Sequence, residues 1–324
     1  MCTAITFKTK DHYFGRNLDL EYNYQEAVTI TPRHYPFSFR MNTTQKEHYA
    51  IIGVATISEG YPLYYDATNE QGLSMAGLNF PGNAVYQTCS EGSDNIAPFE
   101  FIPWILSQCA TVTEATTLLN RLNLADIPFS KEYPLSPLHW FLADRSQSVT
   151  IEPLKDGLRI YDNPVGVLTN NPTFDYHFYN LKNYLNLTRE EPKNRFAPQL
   201  ELIPFSRGMG AIGLPGDLSS PSRFIRAAYT KFNSVCGQSE LESVSQFFHI
   251  LSAVVQQKGS VCVGESFEKT IYTSCCNTDK GIYYYRTYEN SQISAINMHL
   301  ENLNGKDIVS YPLITEQKIY YQNK

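Results

Sequence analysis

An α+β fold with antiparallel sheets covered by helices is what this sequence predicts, on three observations. Strand-like and helical runs come in blocks (strands, helices, strands, helices, strands) rather than in the βαβ alternation of a parallel sheet. Glycine-rich signatures for dinucleotides or phosphates are absent. No repeat or low-complexity linker divides the 324 residues, so one domain spanning 1–324 with a sizeable core is expected.

The elements follow in order. Met1-Cys2-Thr3-Ala4-Ile5-Thr6-Phe7 alternates as a strand does, with Cys2 at its tip. Residues 8–12 read as a hairpin turn and 13–20 as the returning strand, which carries Arg16 and Asp19 back beside residue 2. Strands are expected at Ala27–Thr31, 49–57, 62–67 and 73–80. The last ends abruptly in Leu78-Asn79-Phe80-Pro81-Gly82, where proline and glycine stop the pairing. Phe99, Ile102, Ile105, Leu106 and Cys109 recur at helical spacing, with Pro103 awkwardly inside the pattern. Thr111 and Glu114 form a capping-box signature for a second helix. Strands return at 139–143, 148–153 and 158–161, and a further strand runs into Thr169-Asn170-Asn171-Pro172. Residues 174–187 have helical character, whereas 188–209 are polar, proline-interrupted and without period. Leu214-Pro215-Gly216-Asp217-Leu218-Ser219-Ser220 leads into a helix with Arg223 in its first turn. Ser239 and Glu242 cap another, expected to run through Val254. The chain closes with strands at 269–274, 282–288 and 292–298.

Composition narrows the function. A hydrophobic fraction of 42% against 18% charged is that of a folded protein. The net charge of −6 leaves no basic surplus to neutralise nucleic-acid phosphates. No apolar run reaches the length of a membrane span, and Lys8, Lys10, Asp11 and His12 interrupt any secretion signal, so a cytoplasmic protein is expected. Seven cysteines, an odd number without Cys-x-x-Cys spacing, indicate neither a disulfide framework nor a zinc site. Most are read as small core residues.

The chemistry collects at the N-terminus. With Met1 removed, Cys2 would carry a thiol and a free α-amine on one carbon. Such an amine titrates at roughly 7.7–8.0, so one residue would hold both nucleophile and general base. A guanidinium at Arg16 would favour the thiolate, and a carboxylate at Asp19 would hold the amine. Asn79 and Asn170, each at a strand exit, offer amides to a developing oxyanion. Each residue alone has an ordinary explanation: an incidental cysteine, an ion pair across a hairpin, turn-capping asparagines.

Together, Met1-Cys2-Thr3, Arg16-Asn17-Leu18-Asp19, Leu78-Asn79-Phe80-Pro81-Gly82, Thr169-Asn170-Asn171-Pro172 and the run from Leu214 to Arg223 resemble the choloylglycine hydrolase family, in matching order along nearly the whole chain. Within it the chain is most similar to bile salt hydrolases. The resemblance implies an N-terminal nucleophile hydrolase with a four-layer αββα fold, no metal or cofactor, and a homotetramer. An irregular arm at about 188–213 would serve assembly. It implies Cys2 as nucleophile with Arg16 and Asp19 beside it, Asn79 and Asn170 at the oxyanion, and Arg223 in the surrounding network. The substrate would be a glycine- or taurine-conjugated bile acid, whose steroid suits an apolar pocket. Candidates for its lining are Leu18, Leu20, Tyr24, Ile57, Tyr61, Tyr65 and Phe129. Arg207, in Ser206-Arg207-Gly208, matches a loop signature associated with taurine conjugates. The alternatives are an acylase of the same mechanism acting on penicillin V or N-acyl homoserine lactones, and a non-catalytic steroid- or lipid-binding protein. A lipid anchor on Cys2 would need an apolar signal before it, and only Met1 precedes it.

Overall fold

A computed structural model describes residues 1–42 and 44–323. The predicted opening hairpin is β1 (Cys2–Lys8) and β2 (His12–Leu20), followed by β3 (Ala27–Thr31), β4 (Ile51–Ser58), β5 (Tyr61–Asn69) and β6 (Ser74–Asn79). Next come a short parallel pair, β7 (Asp94–Ile96) and β8 (Leu122–Leu124), and between them the helices α1 (Phe101–Gln108) and α2 (Val112–Leu119). Strands β9 (Leu138–Ala143), β10 (Ser148–Leu154), β11 (Gly157–Asp162) and β12 (Val167–Leu168) lead to α3 (Phe174–Asn180), α4 (Ser220–Asn233) and α5 (Glu240–Ser252). A two-residue hairpin, β13 (Cys262–Val263) and β14 (Ser266–Phe267), precedes β15 (Lys269–Asn277), β16 (Ile282–Thr287), β17 (Ser294–Asn297) and β18 (Val309–Pro312).

The long strands form two antiparallel sheets. One has the order β12-β1-β2-β15-β16-β17; the other runs β11-β10-β9-β6-β5-β4-β3-β18. Helices α4 and α5 pack on β1, β2 and β15 of the first sheet, and α1 packs on β4, β5 and β6 of the second. The layers are therefore helix, sheet, sheet, helix. One apolar cluster, with Leu18, Ala76, Phe141, Phe224 and Phe247, joins the facing sheets and the underside of α4 and α5. Another, with Phe101, Trp104, Leu106 and Trp140, fills the space under α1 and α2. Each fully buried side chain of this size contributes about 1.5–3 kcal/mol.

Local chemistry explains most element ends. Pro103 is harmless because it is the third residue of α1, where its missing N–H has no intrahelical acceptor to lose. The Thr111 hydroxyl accepts from Glu114 N at 3.2 Å, and Ser239 and Glu242 complete a capping box on α5. Some expectations need correction. The helix expected over 174–187 ends at Asn180 and continues as a 3₁₀ turn, Leu181–Tyr184, the tighter form in which helix C-termini often finish. The helix expected through Val254 stops at Ser252. Four cysteines are buried and Cys236 partly so, but Cys89 and Cys262 are exposed.

Candidate active site

Strand period sorts the residues around Cys2 onto two faces. Cys2 pairs with Leu18, Ala4 with Arg16 and Thr3 with Asn17, and paired residues project the same way while successive ones alternate. The Cys2 side chain thus shares the inter-sheet face with Arg16 and Leu18. Asp19 and Asn17 share the helix-facing side with Thr3. The hydrogen bonds agree: Arg16 Nη1 donates to the Tyr65 and Gly77 carbonyls of the facing sheet, at 2.9 and 2.5 Å. Asn17 Nδ2 donates to the Leu251 carbonyl of α5.

Arg16 is fully buried, and its Nη2 has no partner among the described residues. Burial works against its charge, but Cys2, Tyr272, Asp66 and Asp19 more than offset that and hold it above its ordinary pKa. Asp66 accepts from the Tyr272 and Tyr283 hydroxyls, at 2.5 Å each, and from Ser274. A cation is therefore fixed on the same face of the hairpin as the Cys2 thiol.

On the helix side Arg223 spans the site from the first turn of α4. Its Nε donates to Leu218 O, its Nη1 to Cys2 O and Thr3 Oγ1 (2.5 and 2.7 Å), and its Nη2 to Asn170 Oδ1 at 2.8 Å. Asp19 Oδ2 lies 4.0 Å from it, and both side chains are wholly buried. Burial pushes the Asp19 carboxyl above the usual carboxylate range; Arg223, the N-terminal amine, Thr270 and Arg16 pull it back. Burial likewise lowers Arg223, against Asp19, Cys2 and Glu268.

Asn170 closes the ring. Its Oδ1 accepts from the Cys2 backbone N–H at 2.7 Å as well as from Arg223, and two donors on one oxygen fix which way the amide faces. Its Nδ2 consequently donates to the Asn79 carbonyl at 2.7 Å. The turn that carries it is held by Ser220 Oγ on Asn170 N and by His177 Nε2 on Asn170 O, both at 2.8 Å. Burial lowers the His177 pKa to about 4, so the ring is a neutral donor. The Met1 amine donates to the Asp19 carbonyl at 2.8 Å and to the Glu268 carboxylate. Cys2 itself is 3% exposed.

Five of the six predicted chemical residues, Cys2, Arg16, Asp19, Asn170 and Arg223, thus meet in one cluster. Asn79 joins through its main-chain carbonyl, with its side chain exposed. Among the pocket candidates, Leu18 flanks Cys2, and Leu20 and Tyr65 pack on the same core. Thr56 Oγ1 donates to Tyr24 O and meets the Tyr65 hydroxyl at 3.0 Å. The Tyr61 and Phe129 rings lie 6.0 Å apart, each edge-on to Phe99. Ile57 is exposed near the end of β4, where β5 begins. Arg207 is exposed, and among the described residues its guanidinium makes no hydrogen bond or ion pair with this cluster. Residue reading missed Glu268, Thr270, His177 and Ser220. They are remote in sequence from Cys2, and only tertiary pairing brings them there.

Antiparallel sheets facing each other between helices, with a cysteine heading an interior strand, define the αββα sandwich of the N-terminal nucleophile hydrolases. The sequence model for linear amide C-N hydrolases, choloylglycine hydrolase family, matches residues 2–311. A bile salt hydrolase/transferase of Lactiplantibacillus plantarum is 55% identical over 324 residues, covering 100% of both chains. One from Clostridium perfringens is 40% identical, covering 96% of each. The crystal structure of the C2A mutant of the conjugated bile acid hydrolase from Clostridium perfringens superimposes with a TM-score of 0.92 at 38% identity, covering 100% of each chain. A penicillin V acylase from Agrobacterium tumefaciens, at 18% identity and a TM-score of 0.76 over 95% and 90% of the two chains, shares the fold. The chain belongs to the choloylglycine hydrolase family and is an amidohydrolase of linear C–N bonds.

Proposed function

We propose that this amidohydrolase cleaves the amide bond of glycine- or taurine-conjugated bile acids through a Cys2 thioester, after loss of Met1. The observation that carries the mechanism is the Cys2 nitrogen itself, 2.7 Å from Asn170 Oδ1 in a buried ring of Arg223 and Asp19. Removing Met1 turns that nitrogen into an amine already oriented beside its own thiol. The bile acid class is supported by the names of relatives that align over the full chain.

The thiol proton passes to the α-amine, and the thiolate attacks the amide carbonyl. The oxyanion is met by the exposed Asn79 amide and by Asn170 Nδ2, released from the Asn79 carbonyl. The amine then gives its proton to the departing nitrogen as the C–N bond breaks, leaving the acyl group on sulfur. Water adds to the thioester with the amine again taking the proton, and free bile acid leaves. Leu18, Leu20, Tyr24, Ile57, Tyr61, Tyr65 and Phe129 line the steroid path. Arg207 reads the sulfonate of taurine by charge and several hydrogen bonds. The arm at 188–213, with Phe196 and Phe205 about nine-tenths exposed, is where other copies dock in a tetramer.

Hydrolysis of taurocholate, glycocholate and penicillin V by wild type and Cys2→Ala tests the reading. Bile conjugates should be turned over faster than penicillin V, taurocholate fastest, and alanine should abolish all three. An alanine variant that still hydrolyses, or a penicillin preference, defeats it; a glycine preference defeats the Arg207 role alone.

A further inference from the structure

We infer that Thr270 is a positioning residue for the reaction, one that aims the Asp19 carboxylate at the N-terminal amine; the inference rests on the Cys2 reading above. The pairing of β15 with β2 is irregular at one place: Thr270 lies opposite Asp19 and Tyr272 opposite Leu18, with Ile271 as the extra residue. A bulge of this kind re-aims a side chain. In unbroken register Ile271 would stand opposite Asp19; the extra residue puts a hydroxyl there instead.

The hydrogen of that hydroxyl has one destination. Gln256 N donates to Thr270 Oγ1 at 2.9 Å, and Thr270 N donates back to Gln256 O at 3.0 Å, so two reciprocal bonds clamp the residue. With an N–H already donated to its oxygen, Thr270 Oγ1 gives its own proton to Asp19 Oδ1 at 2.6 Å. All three residues are buried. This occupies one carboxylate oxygen and leaves Asp19 Oδ2 buried without a hydrogen-bond partner among the described residues, 4.0 Å from Arg223. The charged groups acting on Asp19 are Arg223 from α4, the N-terminal amine just ahead of β1, Glu268 just before β15 and, from the other face of its own strand, Arg16. Of these the amine changes place when Met1 leaves, and Oδ2 is the acceptor kept open for it. Thr270 therefore acts through Asp19 and touches no substrate atom.

The test compares Thr270→Val, Thr270→Ser and wild type on taurocholate, with melting temperature as the check on folding. Thr270→Val should lower kcat by roughly tenfold with little change in KM, and move the acid limb of the kcat profile to higher pH, because an unsupported Asp19 protonates more readily. Thr270→Ser should restore both. Should the valine variant not fold, Thr270→Ala is measured against the same criteria. A hydroxyl-free variant with wild-type kcat and profile, a loss confined to KM, or a serine variant as poor as valine would overturn the inference. Alkylation of wild-type Cys2 separates the two readings: activity that survives it sinks the nucleophile assignment, whatever Thr270 does.

Discussion

Arg223 carries more of the site than any other side chain, since its guanidinium reaches Leu218, Cys2, Thr3 and Asn170 at once. Arg223→Ala would strip those bonds and leave Asp19 buried without its cation, at a cost of about 3–5 kcal/mol. Arg223→Lys keeps the charge but not the planar fork, so it should recover stability and little activity. Urea midpoints and kcat for both variants check this; a lysine variant with full activity would show that only charge matters. His177 makes a pH-dependent contribution of definite sign. Its pKa is about 4 folded against 6.5 for the free side chain. Between those values the unfolded chain binds a proton that the folded protein refuses, so stability falls as pH falls through that window, by up to about 3 kcal/mol. His177→Gln lacks that titration. The stability of wild type minus that of the variant should therefore shrink between neutral pH and about pH 4.5, and a constant difference would contradict it. These residues divide sharply in legibility. Cys2, Arg16 and Asp19 are near in sequence, and a hairpin joins them. His177 and Thr270 become meaningful only when other strands deliver Asn170 and Asp19 to them.

At the scale of elements, the β1–β2 hairpin and its neighbour β15 form the platform of the site. Gly15 lies in β2 beside Arg16, and a Cβ there would stand 2.1 Å from the Ser274 carbonyl oxygen and 2.9 Å from Cys275 Cα. Backbone atoms cannot yield as a side chain does, so Gly15→Ala should push β15 off β2 and abolish the folded state. Soluble yield and far-ultraviolet circular dichroism report it, and an alanine variant with an unchanged melting temperature would show that the strands have slack. The strands were readable because period-two alternation and turn residues such as Gly72 and Gly157 bracket them. Other pieces were not. The strand at Val309–Pro312 alternates weakly and exists because β3 offers it an open edge. The parallel pair Asp94–Ile96 and Leu122–Leu124 is made by contact across two helices. The bulge at Ile271 is a property of the pairing and not of β15 alone.

At the scale of the molecule, two stacked sheets convert strand alternation into chemistry. The inter-sheet face presents the thiol with Arg16, while the opposite face presents Asp19 with Arg223, so in the proposed reaction the nucleophile and the amine would be served from different sides of the hairpin. The block order of strands and helices was enough for an antiparallel α+β fold; the stacking of two sheets followed from the family resemblance, since nothing in periodicity says which sheet covers which. The measurement that bears most directly on the account is the mass of the N-terminal peptide from enzyme acid-quenched during taurocholate turnover. A peptide that begins at Cys2 and carries the steroid acyl group on sulfur is the predicted result. Acylated peptide that still bears Met1, or catalysis with no acyl group on that peptide, would contradict it.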